Sequence, residues 1–321
     1  MASLASPPVV SAIQTFDLTK IYKGKKKKTI QALKSLNLKV DQGTTFGFVG
    51  PNGAGKTTTI KILCGLGFQT GGQAVLMGKP SFLPEARKSI GYLSEVASYS
   101  PYFVADELLL AFGKLQGLSF VEAQEKSEKL LKSVGLYERK KSRLGEFSKG
   151  MLQRFGIAQA LLHDPSILIL DEPTSGLDPI GRQEVLQVLH DLKKTGLTLF
   201  FSSHQLIEVE GLCDYVGIID LGDLIFRGTL AELEAQETES PFLIRFKPSD
   251  NRKIVFDFPL LFQRNLDNHV EEIGVERTLL DKTLNGIHSS GGEVVAVFPQ
   301  KFPLEEIFVK MISKHGRTNS A

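Results

Sequence analysis

Short apolar runs punctuate the chain from about residue 11 to about residue 235. Residues 45–49, 167–170, 197–201 and 215–219 hold almost no charged or strongly polar side chains. Runs of this length, apolar on both faces, suit parallel strands covered by helices on either side. Amphipathic stretches fall between them. Ser119 with Glu122, and Thr229 with Glu232, have the spacing of a capping box, in which each side chain satisfies a free amide of the first helical turn. Asp178 before Pro179 fits an N-cap followed by proline at the first helical position. The amphipathic residues 191–195 stop at Gly196, just ahead of a strand. Strands alternating with helices predict an α/β fold.

Beyond about Glu239 the pattern changes. Residues 241–246, 253–258 and 292–298 read as strands, and 304–313 as a helix. Eight of the 21 phenylalanines lie beyond Pro241, enough for a small second core. The expected organisation is a flexible tail over 1–10, a main domain over 11–238 and a small α+β accessory domain over 239–321. Residues 314–321 read as a frayed end. A length of 321 residues agrees with two domains.

Charge narrows the partners. Lys and Arg number 38 against 36 Asp and Glu, so no global field draws the chain onto nucleic acid, and none is expected as a partner. Cys64 and Cys213 lie far apart without metal-ligand spacing, which argues against a disulfide framework and for a reducing compartment. The longest uncharged stretch, 62–78, holds five glycines and two glutamines. It falls short of the roughly 20 apolar residues of a spanning helix. No basic residue precedes Lys20, and Pro7-Pro8 interrupts the weakly apolar start, so no cleaved signal peptide is expected. The run Lys25 to Lys28 reads as a solvated turn between two strands.

Two segments carry chemistry. Gly50-Pro51-Asn52-Gly53-Ala54-Gly55-Lys56-Thr57-Thr58 matches G-x-x-x-x-G-K-[ST], after one predicted strand and ahead of a helix. Its glycines let backbone N–H groups and a helix N-terminus wrap a phosphate. Lys56 would reach β- and γ-phosphates, and the Thr57 hydroxyl would ligate Mg²⁺. The apolar run 167–170 then delivers Asp171 and Glu172 at a strand's carboxyl end, where open α/β sheets place ligands. Asp171 would hold Mg²⁺ largely through water, and Glu172 would orient and help deprotonate an attacking water.

With these in place, the chain resembles the nucleotide-binding subunit of an ATP-binding cassette (ABC) transporter, from about Ile13 to Ala235. Phe147-Ser148-Lys149-Gly150-Met151 stands at the family's signature, Ser175-Gly176-Leu177-Asp178 at the loop after the glutamate, and Ser202-Ser203-His204 at the switch histidine. Tyr22 falls where the family stacks an aromatic ring on adenine. The ordered set is far more specific than any one member.

The resemblance implies a P-loop NTPase cassette with a mixed, mainly parallel sheet and a helical subdomain. It also implies ATP with Mg²⁺, and two cassettes packed head to tail, either identical or paralogous. Ser148 and Gly150 of one would then bind the γ-phosphate held by the other, and His204 would touch that phosphate. Integral-membrane permease subunits become the expected partners, and the cytoplasmic face of the membrane the expected location. Two departures stand out. Lys149 replaces the usual glycine, with solvent its expected surroundings, and Glu95 replaces a glutamine that touches Mg²⁺. Acid at that place occurs in the drug, lipid and polysaccharide export branch, toward which the residues 303–308 also lean. The competing expectation is a soluble cassette ATPase doing mechanical work on a macromolecule. A GTPase or small-molecule kinase would share only the phosphate loop.

Overall fold

The computed structural model describes residues 11–23, 29–236, 241–249, 254–266, 269–299 and 304–318. The expected tail over 1–10 and the run Lys25 to Lys28 lie outside these residues. The chain divides into two compact units, one formed by residues up to 230 together with those from 311, the other by 231–310. The break falls at 230/231, ahead of the 238/239 boundary read from composition. A short helix over Leu230–Ala235 follows the last strand of the first unit directly, so the composition changes only after it.

The first unit opens with β1 (Ser11–Lys23), β2 (Thr29–Leu36) and β3 (Lys39–Asp41), all antiparallel around β1. They join β5 (Gly71–Leu76) and β6 (Lys79–Pro80) in a five-stranded sheet. The second sheet is built from β4 (Thr45–Val49), β7 (Ile90–Leu93), β8 (Ile167–Leu170), β9 (Thr198–Ser203), β10 (Tyr215–Asp220) and β11 (Asp223–Gly228). Its order is β11-β10-β4-β9-β8-β7, parallel throughout except for the β10–β11 hairpin. All four strands expected from apolar runs are present, and β4, β8 and β9 are buried at every position.

Between β4 and β9, Phe46 and Phe48 pack on Phe200, with ring centroids 5.8 and 5.5 Å apart. Each is fully buried, a contribution on the order of 2–3 kcal/mol per ring. This packing locks the strands whose carboxyl ends carry the polar motifs.

Helices α1 (Lys56–Leu63) and α2 (Pro84–Arg87) precede a helical region of α3 (Ala105–Leu115), α4 (Phe120–Ser133) and α5 (Lys149–Ala160). Ser119 and Glu122 form the expected reciprocal capping box at α4. Helix α6 (Pro179–Lys193) starts as expected, with Asp178 accepting from the Gly181 amide. The short helix Leu230–Ala235 is α7. Among the described residues no helix is long and apolar enough to cross a membrane. Both cysteines are free, and burial pushes both thiols up.

In the second unit β12 (Phe242–Lys247), β13 (Phe262–Leu266), β14 (Val270–Val275) and β15 (Glu293–Pro299) form an antiparallel sheet in the order β13-β14-β12-β15. Helix α8 (Leu280–Ser289) contributes Ile287 to a core with Ile244, Phe246, Ile273 and Val275. Helix α9 spans Leu304–Thr318.

Two expectations need correction here, and the structure adds two strands. Residues 254–258 are not a strand. Ile254, Phe256 and Phe258 pack on this core as an irregular segment, the two rings 5.5 Å apart, so their apolarity serves packing rather than a pleat. Strands β13 and β14 are present although their alternation is masked by charged residues. The end of the chain, read as frayed from 314, stays helical to Thr318.

Candidate active site

Strand β4 ends at Val49, the chain turns through residues 50–55, and α1 begins at Lys56. Gly55 holds the left-handed region at φ +117°, and a Cβ there would lie 2.7 Å from the Ala32 carbonyl oxygen. A Cβ on Gly50 would meet the Ile219 carbonyl oxygen at 2.2 Å. Both positions require glycine, and the turn they permit aims the first amides of α1 into a cavity of about 340 Å³. Residues 51–58 line that cavity, together with Glu95, Glu172, Ser175 and His204. The Lys56 ammonium curls back to donate to the carbonyls of Gly50 (2.6 Å) and Pro51 (3.3 Å).

The carboxylates arrive from β8. Asp171 Oδ1 accepts from Thr57 Oγ1 at 3.3 Å and from Ser202 Oγ at 2.7 Å. The same Ser202 oxygen accepts from the Glu172 amide at 2.9 Å, so one hydroxyl fixes both acid-bearing residues. Glu172 is held at φ +49°. A non-glycine residue in that region is a strained placement of the kind that clusters at functional sites. Its Oε1 lies 3.2 Å from Lys56 Nζ, and its Oε2 lies 2.6 Å from His204 Nδ1.

A carboxylate can only accept, so His204 Nδ1 carries the proton in this contact. Its Nε2, 3.3 Å from Gln205 Nε2, then accepts from the amide, whose Oε1 in turn accepts from Arg182 on α6 at 3.2 Å. Behind the site, burial and the charge of Asp171 hold the Cys64 thiol and the Tyr92 hydroxyl protonated.

The oxygen donors also suit a hard cation. Thr57 and Asp171 are in contact, and Glu95 opens onto the same cavity. Among the described residues no group of three or more His, Cys, Asp or Glu side chains could hold a metal by itself. Mg²⁺ needs no such cage, because it takes one or two carboxylates and fills its shell with phosphate oxygens and water.

Tyr22, Ser148, Lys149 and Gly150 do not line the cavity. Tyr22, on β1, is half-exposed beneath the Lys20 ammonium at 4.9 Å. Ser148 is the N-cap of α5 and accepts from the Met151 amide at 3.2 Å, at an exposed helix start. Gly150 is buried against Gly181 of α6. Lys149 does not simply face solvent, because its ammonium donates to the Ser175 carbonyl at 2.7 Å. Glu95 is held by its backbone, with its carbonyl accepting from Gln153 of α5 at 2.9 Å.

Ser202, Gln205 and Gln153 were not singled out from sequence for these contacts. The Ser202 contact follows from strand register. In the β8–β9 register Leu170 pairs with Phe201, which sets the next residues, Asp171 and Ser202, side by side.

The ABC transporter family matches residues 33–175. An uncharacterized ABC transporter ATP-binding protein of Synechocystis is 35% identical over 325 residues, covering 100% of this chain and 90% of that protein. The bacitracin transport ATP-binding protein BcrA of Bacillus licheniformis is 38% identical over 311 residues, 94% of this chain and 97% of BcrA. Among solved structures, the dimeric cassette MJ0796 bound to ADP and Pi superposes with a TM-score of 0.61 at 25% identity, over 68% of this chain and 98% of that one. Likeness over whole relatives, and not over a phosphate loop alone, makes this chain a member of the ABC transporter family, one of its ATP-binding and ATP-hydrolysing subunits.

Proposed function

We propose that this subunit drives export of an antibiotic-like compound through separate integral-membrane permease subunits, working as a cassette dimer at the cytoplasmic face of the membrane. Energising a separate permease is the work of the family, and BcrA, similar over nearly its whole length, is named for bacitracin transport. Those likenesses favour transport over a soluble mechanical ATPase. In this reading residues 11–238 form the ATP-binding domain and 239–321 an accessory domain.

The observation that carries the site assignment is Glu172, poised between Lys56 and His204 at one cavity. Residues 50–58 cradle the triphosphate with backbone amides, and Lys56 turns from Glu172 to the β- and γ-phosphates. Glu172 then accepts a proton from the attacking water and orients it in line with the γ-phosphorus. His204 turns its Nδ1–H from Glu172 to a γ-phosphate oxygen and keeps the water in register. Thr57, Asp171 and Glu95 would hold Mg²⁺, which when bound neutralises charge building on the phosphate oxygens. Tyr22 stacks on adenine. Ser148 and the amides at Gly150, at the start of α5, bind the γ-phosphate held by the second cassette. ATP is thereby interfacial, so closure follows binding and opening follows hydrolysis.

The test is purification of the tagged Glu172→Gln chain from membranes in gentle detergent with ATP and Mg²⁺, followed by mass spectrometry. A polytopic membrane protein in near-stoichiometric amount is the expected companion. Recovery of a dimer with ribosomal or DNA-bound partners instead would sink the transport reading.

A further inference from the structure

Lys149 occupies the second position of the Ser148-Lys149-Gly150 turn, immediately after the N-cap of α5. Its ammonium reaches across to the loop that follows Glu172 and donates to the Ser175 carbonyl at 2.7 Å. Ser175 lines the nucleotide cavity, and its own amide donates to the Glu172 carbonyl at 3.0 Å. Two consecutive hydrogen bonds thus join the start of α5 to the backbone of Glu172.

The loop is shaped for this contact. Gly176 sits at φ +64°, and a Cβ on it would fall 2.5 Å from Lys149 Nζ, so the bare backbone is what admits the ammonium. The loop is anchored at both ends by other groups. Ser202 Oγ holds the Glu172 amide at 2.9 Å, and Asp178 caps α6 through the Gly181 amide at 2.8 Å. A Cβ on Gly150 would come 3.2 Å from the Gly181 Cα, so α5 and α6 already meet beside the loop. Between these anchors the Ser175 carbonyl is gripped by Lys149.

We propose that Lys149 is a positioning residue for hydrolysis, a clamp that makes the loop carrying Glu172 move with the N-terminus of α5. This rests on the function above, in which that N-terminus meets the nucleotide of the second cassette. A phosphate docking at Ser148 and Gly150 then also sets the loop behind Glu172 in the same subunit, and each site senses the filling of the other. The bond is exposed and single, so it adds little to folding stability. Its effect is on geometry, and small displacements of a catalytic group are costly in rate.

The experiment compares the full chain with Lys149→Met and Lys149→Arg. Hydrolysis by the wild-type chain should depend sigmoidally on ATP; in Lys149→Met, kcat should fall roughly tenfold and that sigmoidicity should flatten. ATP affinity of the single subunit and the thermal midpoint should hold. Lys149→Arg, which can still donate to the carbonyl, should recover most of the rate. Unchanged kcat and sigmoidicity in Lys149→Met would overturn the proposal. So would a parallel fall of rate, affinity and midpoint, which marks a role in folding alone. Amide exchange at Gly176 and Leu177 reads the clamp without activity and should quicken in Lys149→Met but not in Lys149→Arg. Equal exchange in all three proteins also overturns it. A wild-type chain that shows this exchange pattern yet hydrolyses no ATP would defeat the assigned function, and the role in hydrolysis with it.

Discussion

Glu172 Oε1 lies 3.2 Å from the ammonium of Lys56, and both side chains are more than nine-tenths buried. An ion pair so enclosed holds together because neither charge has water to fall back on, and removing one partner strands the other. A triphosphate entering the cavity competes with Glu172 for Lys56, and in doing so releases the carboxylate toward water. Lys56→Ala should therefore cut ATP affinity by about tenfold or more, the usual scale for a lost hydrogen bond to a charged group. Nucleotide titration by calorimetry reads it directly. Undiminished affinity would mean that the phosphate loop binds something else.

Glu172→Gln removes the charge and keeps the shape. The side-chain amide it introduces can still lie between Lys56 and His204, but it cannot take a proton from water. Hydrolysis should fall by roughly a hundredfold or more, while ATP binding persists and the nucleotide-bound dimer becomes longer-lived. Phosphate release and sedimentation with ATP measure the two effects. Wild-type turnover in this variant would remove Glu172 from the role of base.

Ser202 makes a different claim on the same carboxylates. Its hydroxyl donates to Asp171 and accepts from the Glu172 amide, and it is wholly buried. Ser202→Ala leaves that amide without a partner and costs about 1–3 kcal/mol. The left-handed placement of Glu172 should relax with it, so kcat should fall more than ATP affinity does. Loss of stability with unchanged kcat would confine Ser202 to packing.

Much of this site was legible in the sequence because local chemistry forced it. The glycine spacing from Gly50 to Gly55 has few uses besides a phosphate turn, and the apolar run before Asp171 could only be a buried strand. Asp178 followed by Pro179 announced a helix start in the same direct way. What escaped were the contacts that depend on register. Nothing in the residues alone says that Ser202 would stand beside Asp171, or that Lys149 would find the Ser175 carbonyl, since both pairings join segments brought together only by the fold. The second unit was less legible for another reason. Strand β14 carries Glu271 and Glu272 side by side, and its charge hides a strand whose buried acid is neutralised from its neighbours. Residues 254–258 misled in the opposite sense, being apolar without being pleated. Helix α8 did offer a signal, since Leu280, Leu284 and Ile287 share one face, but its polar neighbours diluted it.

Ser148 caps α5 with its side chain, and its second use requires a second cassette. Ser148→Ala should lower the hydrolysis rate of the assembled dimer by about tenfold, the scale of one hydrogen bond to a charged phosphate. ATP binding to the single subunit should stay unchanged. Loss of the cap costs about 1 kcal/mol, so the thermal midpoint is measured alongside. A collapse of single-subunit binding would place Ser148 in its own nucleotide site and overturn the cross-subunit arrangement.

Glu272, on β14, is completely buried and accepts from Arg245 of β12 at 2.6 Å and from Arg264 of β13 at 2.8 Å. Burial by itself would raise the carboxyl, but the hydrogen bonds and charges of the two guanidinium groups more than reverse it, so it lies below the ordinary range. A folded value beneath the unfolded one, which is about 4.3, gives a definite sign. The stabilisation is fully present above the unfolded value and disappears as pH falls through the folded one. Amide protection of β12 and β14 should accordingly weaken as pH falls below the ordinary carboxylate range. Asp257 is also held low, by its hydrogen bond from Lys282. It is largely exposed and contributes little to that step. Glu272→Gln should cost about 1–3 kcal/mol at neutral pH, the scale of hydrogen bonds to a charged group, because the two guanidinium groups are partly exposed and keep their water. It should also flatten the acid response of these two strands. If the response survives in that variant, some other carboxylate governs it, and the pairing of Glu272 with both arginines is not what makes the sheet acid-sensitive.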